Sequence, residues 1–241
     1  MGTVLAVLSG KGGTGKSTSA AALACALSER GRRVICVDAD TELRNLDLVL
    51  GLSAAAVTDY GDVLNGSLPA EEALISSPQF PELRLLAAPP LPGTGGPEGL
   101  LPELKALADY VVVDYPGGLG RLAGGPLPAD RLLVVATADP CSQRDAERVA
   151  QLAALHGMPA PRLLINRVSP KLLRVRGATL DDTVDGTGLQ LIGVIPEDPD
   201  VTLAVAAGRP LLDWSAKRRG AAAAFRRVAA RLDGERVPLR L

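Results

Sequence analysis

Short aliphatic blocks alternate along this chain with Ala- and Leu-rich helical stretches. The blocks Thr3–Leu8, Arg33–Val37, Leu83–Leu86, Tyr110–Val113, Leu132–Ala136, Leu163–Ile165 and Leu191–Val194 are apolar at nearly every position. A strand with one wet face would alternate, so these blocks predict strands covered on both sides. The stretches Lys16–Arg30, Val57–Leu64, Ala70–Ile75, Leu101–Ala108, Ser142–Leu155, Val201–Ala207 and Ser215–Leu232 predict helices. Such alternation predicts an α/β fold, a doubly wound, mostly parallel β-sheet flanked by helices. The first helix is expected to end at Gly31, a residue suited to the left-handed cap, with Arg30 in its last turn. Pro and Gly crowd into Pro89–Pro102 and Pro116–Pro128, but the alternation continues beyond both. These segments therefore read as surface loops, and residues 1–241 as a single domain.

Composition narrows the class. Apolar residues are 47% of the 241 and aromatics only 2%, so Ala, Leu and Val must fill the core. A formal net charge of −1 supplies no global field toward nucleic acid or anionic lipid. The three cysteines, Cys25, Cys36 and Cys141, are too widely spaced for a zinc or disulfide framework. The apolar start lacks a basic flank, and no stretch approaches the roughly 20 apolar residues of a spanning helix. Ala6 stands where a myristoylation signal has Ser or Thr. The expected location is cytoplasmic.

Candidate chemistry begins directly after the first strand. Gly10-Lys11-Gly12-Gly13-Thr14-Gly15-Lys16-Ser17 fits the G-x-x-x-x-G-K-[ST] phosphate loop, with a strand before it and a helix after it. Glycines let backbone N–H groups turn in around a β-phosphate, at which the following helix aims its positive end. Lys16 would bridge β- and γ-phosphates, and the Ser17 hydroxyl would ligate Mg²⁺. Lys11 is unusual, since Arg outnumbers Lys 21 to 5 and no ordinary phosphate loop requires a cation there. It must face solvent or phosphate. Val37-Asp38-Ala39-Asp40 places two carboxylates at the C-terminal end of the second strand, where open α/β sheets bind ligands. Tyr110–Val113 ends in Asp114, the Walker B pattern, whose carboxylate would hold Mg²⁺ through water. No Asn-Lys-x-Asp guanine signature follows Leu163–Ile165, which favours ATP over GTP.

Ser-Gly-Lys-Gly-Gly-Thr-Gly-Lys-Ser-Thr, ending at Thr18, resembles the deviant Walker A motif of the MinD/ParA ATPases. The resemblance covers essentially the whole chain. The blocks Arg44–Leu52 and Leu191–Asp198 resemble the MinD branch more than the ParA or flagellar-number branches. It implies that Lys11 reaches the phosphates of a second copy across an ATP-dependent homodimer. It implies that Asp40 orients or deprotonates the attacking water and that Asp38 belongs to the Mg²⁺ surroundings. Asn45 would lie in one nucleotide-sensing switch and Gly117 and Gly118 in another. There Asp114-Tyr115-Pro116-Gly117-Gly118 departs from the family's usual Asp-Ser-Pro-Ala-Gly at Tyr115 and Gly117. Asn166, otherwise a plain turn residue, would bond the adenine amino group, with Pro196, Glu197 and Asp198 walling the base. Ser142–Asp145 matches a segment near the family's dimer face.

The function implied is a nucleotide-dependent dimerisation switch in cell-division site placement, hydrolysing ATP. Implied partners are a MinC-like inhibitor and a MinE-like regulator, with peripheral location at the inner face of the cell membrane. The family's C-terminal amphipathic membrane helix is missing, because the chain stops at Leu241, so membrane attachment would need a tail beyond it. The basic helix expected at Ser215–Leu232 has a modest apolar stripe suited to docking on the domain. Competing readings are a ParA-type DNA partition ATPase or flagellar-number regulator, and an ATP-binding scaffold without turnover. No nucleic-acid partner is favoured.

Overall fold

Eight strands hydrogen-bond into one sheet in the order β3-β4-β2-β5-β1-β6-β7-β8. In the computed structural model, which describes residues 2–91, 95–177 and 179–239, they are β1 Thr3–Leu8, β2 Val34–Asp38, β3 Ile75–Ser76, β4 Leu83–Leu86, β5 Tyr110–Asp114, β6 Arg131–Thr137, β7 Arg162–Val168 and β8 Gln190–Pro196. All pairings are parallel except β3 with β4. Part of the Pro89–Pro102 loop (92–94) and the end of the chain at Leu241 lie outside the described residues.

The uniformly apolar strands follow from burial on two sides. In β1, Leu5 and Val7 point into one core, and Val4, Ala6 and Leu8 into the other. The first core is closed by helices Lys16–Ser28 and Ala221–Leu232, the second by elements that include helices Leu101–Leu107 and Pro140–Leu155. Helix Lys16–Ser28 is buried almost all round, from Ser19 to Ser28, which explains its lack of a polar face.

Every expected helix shifts its bounds by a residue or more, and three of the shifts have a visible cause. The segment expected as Val57–Leu64 starts at Tyr60, because Asp59 and Asp62 form a capping box. Ala70–Ala73 ends early, because Ile75–Ser76 adds to the sheet edge. Ser215–Leu232 shortens to Ala221–Leu232, because residues 215–220 are irregular, and a separate short helix, Leu211–Trp214, precedes them. Asp200 accepts from Ser215 Oγ at 2.8 Å and Lys217 Nζ at 2.9 Å, holding that stretch open, and Gly220 (φ 92°) turns it. The expected stripe of Ala221–Ala224, Phe225, Val228 and Ala229 is buried in the core, so that face is taken by the domain. Among the described residues five α-helices went unforeseen: Leu46–Val49, Gly120–Ala123, Pro170–Arg176, Leu211–Trp214 and Leu180–Thr187. The last carried a readable signal in Thr179-x-x-Asp182, which forms a capping box. Among the described residues no helix is long and apolar enough to cross a membrane.

Candidate nucleotide site

The topology gathers the predicted residues at the C-terminal ends of β1, β2, β5 and β7. The phosphate loop leaves β1 and enters helix Lys16–Ser28 through Gly15, whose φ of 86° lies in the left-handed region. A Cβ at Gly15 would also stand 2.3 Å from Asn166 Nδ2, so this position admits only glycine.

Parallel register sets Asp38 beside Asp114 across β2 and β5. Both are 1% exposed. Lys16 reaches over from the loop, its Nζ 2.8 Å from Asp114 Oδ1 and 3.4 Å from Ser17 Oγ. Asp38 accepts the backbone N–H groups of Asp40 and Leu46, both at 3.0 Å, so it ties the acidic turn to the Leu46–Val49 helix. Burial, reinforced by the neighbouring Asp114 charge, pushes the Asp38 carboxyl up to about 7. Burial also raises Asp114, against the pull of Lys16. Asp40 is buried and accepts from the Leu43 N–H at 3.1 Å.

A cavity of about 330 Å³ opens over this cluster, lined by Lys16, Ser17, Asp40, Asn45 and Gly117 among others. The second predicted switch touches the loop itself. Gly118 N–H donates to Ser9 O at 2.9 Å, and a Cβ at Gly117 would lie 3.4 Å from Gly12 N. Tyr115, a departure from the family pattern, fills the core beneath this turn with its hydroxyl buried and unpartnered.

A second cavity of about 500 Å³ brings together Asn166, Pro196, Glu197 and Asp198, as expected for a base pocket. Its apolar wall was not foreseen: Val201, Val205, Ala206 and Phe225. Asn166 Nδ2 donates to Thr14 O at 2.8 Å, so this side chain braces the phosphate loop. Asp198 accepts from Asp200 N at 3.0 Å and Ala221 N at 2.9 Å, capping one helix and anchoring the next. It shapes the pocket through those helices.

Two further residues escaped the sequence reading. Arg167 has φ 54°, rare for a residue with a side chain, and its Nη1 lies 3.5 Å from Gly13 O. Asp139 receives Lys11 Nζ at 3.1 Å. Burial would raise the Asp139 carboxyl, but bonds from Thr137, Ser142 and Lys11 outweigh it and hold it below the usual range. Lys11 is therefore held at a partly exposed position outside its own loop's cavity. It lies on the far side of Gly12 and Gly13, in a separate concavity with Thr137, Asp139 and Arg167. An Asp-Pro pair starting helix Pro140–Leu155 was the available signal, since Asp139 is its N-cap.

These donors suit a magnesium nucleotide. No group of three or more His, Cys, Asp or Glu gathers for a metal among the described residues. Magnesium, however, ordinarily takes one or two carboxylates and completes its shell with phosphate and water. Ser17, Asp38 and Asp114 supply such a partial set, and the phosphate loop holds a buried, unpartnered hydroxyl at Thr14.

A strand, a glycine loop entering a helix, and paired carboxylates at the neighbouring strand ends define a P-loop nucleotide-binding protein. Residues 5–211 match the family described as CobQ/CobB/MinD/ParA nucleotide binding domain. Septum site-determining protein MinD of Bacillus subtilis is 36% identical over 251 residues, covering 100% of this chain and 92% of that one. The MinC:MinD cell division protein complex of Aquifex aeolicus superposes with a TM-score of 0.89 at 33% identity, covering 99% and 98%. Septum site-determining MinD of Pyrococcus horikoshii, complexed with Mg-ADP, gives a TM-score of 0.82 at 27% identity, covering 97% of each chain. The chain belongs to the CobQ/CobB/MinD/ParA family, among its septum site-determining MinD members.

Proposed function

We propose that this MinD-like ATPase acts as a dimerisation switch in division-site placement: ATP pairs two copies, and hydrolysis separates them. The supporting observation is the position of its two loop lysines. Lys16 serves the buried cluster with Asp38 and Asp114, while Lys11 stands on the opposite side of the glycines, 36% exposed, in another concavity. A cation so placed suits the phosphates of a second copy, where it would stabilise transition-state charge as an arginine finger does.

Within one copy, the loop amides and Lys16 would hold the β- and γ-phosphates, and Ser17, Asp38 and Asp114 would hold Mg²⁺ directly or through water. The metal supplies neutralisation of charge on the transferring phosphoryl group. Asp40, at the rim of the same cavity, would orient the water that attacks it. Asn45 and Gly117 line this cavity and Gly118 bonds Ser9; the three would report loss of the γ-phosphate through Leu46–Val49 and the Ser9 contact. Asn166, Pro196, Glu197 and Asp198 would receive adenine.

The Aquifex complex supports a MinC-like partner, and the family resemblance a MinE-like regulator. The test is sedimentation of an Asp40→Ala variant with Mg-ATP and with Mg-ADP. Dimer with ATP alone is expected; a monomer with both at high protein concentration defeats the switch. Phosphate release by the wild type, abolished in Lys16→Ala, separates an ATPase from a scaffold.

A further inference from the structure

The sheet edge opposite the phosphate loop carries a second concentration of charge. Strands β6 and β7 span seven residues each, so their starts lie roughly 20 Å from the nucleotide side. Arg131 opens β6 and Arg162 opens β7. The register pairs Arg162 with Leu133, two residues after Arg131, so both arginines project from the sheet face covered by helix Ala221–Leu232. Arg231 of that helix meets them there. Two adjoining cavities, about 330 and 550 Å³, share Arg162, Ile192 and Arg231; Arg131 lines the first and Arg236 the second.

We propose that this arginine-lined cleft is a binding site for a phosphate-class oxyanion, separate from the nucleotide site. Two acids border it, and both are committed elsewhere. Asp130 accepts from Lys105 Nζ and the Val4 N–H, each at 2.7 Å, and Glu235 bonds Arg30. Arg131 feels the charge of neighbouring Asp130, but no hydrogen bond joins the two. Arg131 Nη1 donates to the Leu232 carbonyl, and Arg231 donates to the carbonyls of Ile192, Val237 and Pro238, so neither meets a carboxylate. The Arg162 and Arg236 side chains are exposed, and among the described residues neither makes a hydrogen bond or ion pair. Burial, with the adjacent Arg227 charge, disfavours the cationic form of Arg231, a cost that an anion in the cleft would relieve. Guanidinium groups converging from three elements match the several acceptor oxygens of a phosphate. The partly apolar rim, with Ile192, Val237 and Pro238, leaves room for an attached organic group.

A free phosphate and a lipid headgroup share this chemistry, and two arms separate them. In the first, the ¹⁵N-labelled full chain is loaded with Mg-ADP to fill the phosphate loop and titrated with inorganic phosphate. Amide shifts are expected around Arg131, Arg162, Ile192 and Arg236, with binding weakened about tenfold or more in Arg162→Glu. In the second, the chain is sedimented with vesicles of phosphatidylglycerol mixed with phosphatidylcholine and with phosphatidylcholine alone. Retention only by the anionic vesicles, lost in Arg162→Glu, names the headgroup as the source. Arg236→Glu serves if Arg162→Glu does not fold, and both variants should keep wild-type ATP hydrolysis. Absence of a response in both arms overturns the proposal, as does a response that survives both substitutions.

Discussion

The Lys16 ammonium lies 2.8 Å from the Asp114 carboxylate, and both groups are almost fully buried, at 7% and 1% exposure. A cation suited to phosphate thus compensates an anion suited to magnesium. The desolvation cost of each is offset by the other, and by neither alone.

Lys16→Ala should therefore do more than abolish nucleotide binding. It leaves Asp114 buried beside Asp38 without its cation, a change that typically costs about 3–5 kcal/mol. Denaturant unfolding without nucleotide should show that loss, and Lys16→Ala with Asp114→Asn should recover much of it. An unchanged midpoint for the single variant would mean that the pair does not form in solution.

Lys11 and Asp139 form the opposite kind of pair, 36% and 38% exposed. Its contribution to stability should stay within about 1 kcal/mol. Asp139→Asn keeps an acceptor for the Ser142 N–H but weakens the hold on Lys11. Dimerisation with ATP should then begin at lower protein concentration, a shift that analytical ultracentrifugation would detect. Weaker dimerisation would give Asp139 a different role.

Asp38 sets a pH dependence. An ordinary aspartate titrates near about 3.9, whereas this one is pushed up to about 7. Between those values the folded chain holds a proton that the unfolded chain has released. Stability should thus fall as pH rises from about 4 to about 7 and level off above. Thermal unfolding in chelator should show the slope in the wild type and a flatter one in Asp38→Asn. Equal slopes would refute the assignment.

Asp198 anchors two helix starts that wall the cavity proposed to receive the base. Asp198→Ala should cost about 1–2 kcal/mol through the lost caps and also weaken nucleotide affinity. Calorimetric titration with Mg-ADP and a melting curve measure the two effects. Loss of stability with unchanged affinity would confine Asp198 to architecture.

Much of this was legible beforehand because strand and phosphate-loop signals are local. Seven of the eight strands were anticipated, and β3 was missed because two residues carry no period. The helices fared worse where polar side chains compete with local propensity. Asp200, reaching Ser215 and Lys217, breaks a segment that reads as continuous. The candidate site shows the same division. The loop glycines and carboxylates announce themselves by spacing, while Asp139 and Arg167 matter only because the fold brings them beside Lys11 and Gly13.

By itself, then, the sequence determined the sheet-forming blocks, the phosphate loop and the identity of the carboxylates, since each depends on residues close together in the chain. The tertiary structure decided which charges meet. Strand order sets Asp38 beside Asp114, places Lys16 over Asp114 and sends Lys11 across to Asp139. Those partners are separated by 76, 98 and 128 residues. No local pattern encodes such distances; they follow from how parallel strands order themselves so that both faces are buried.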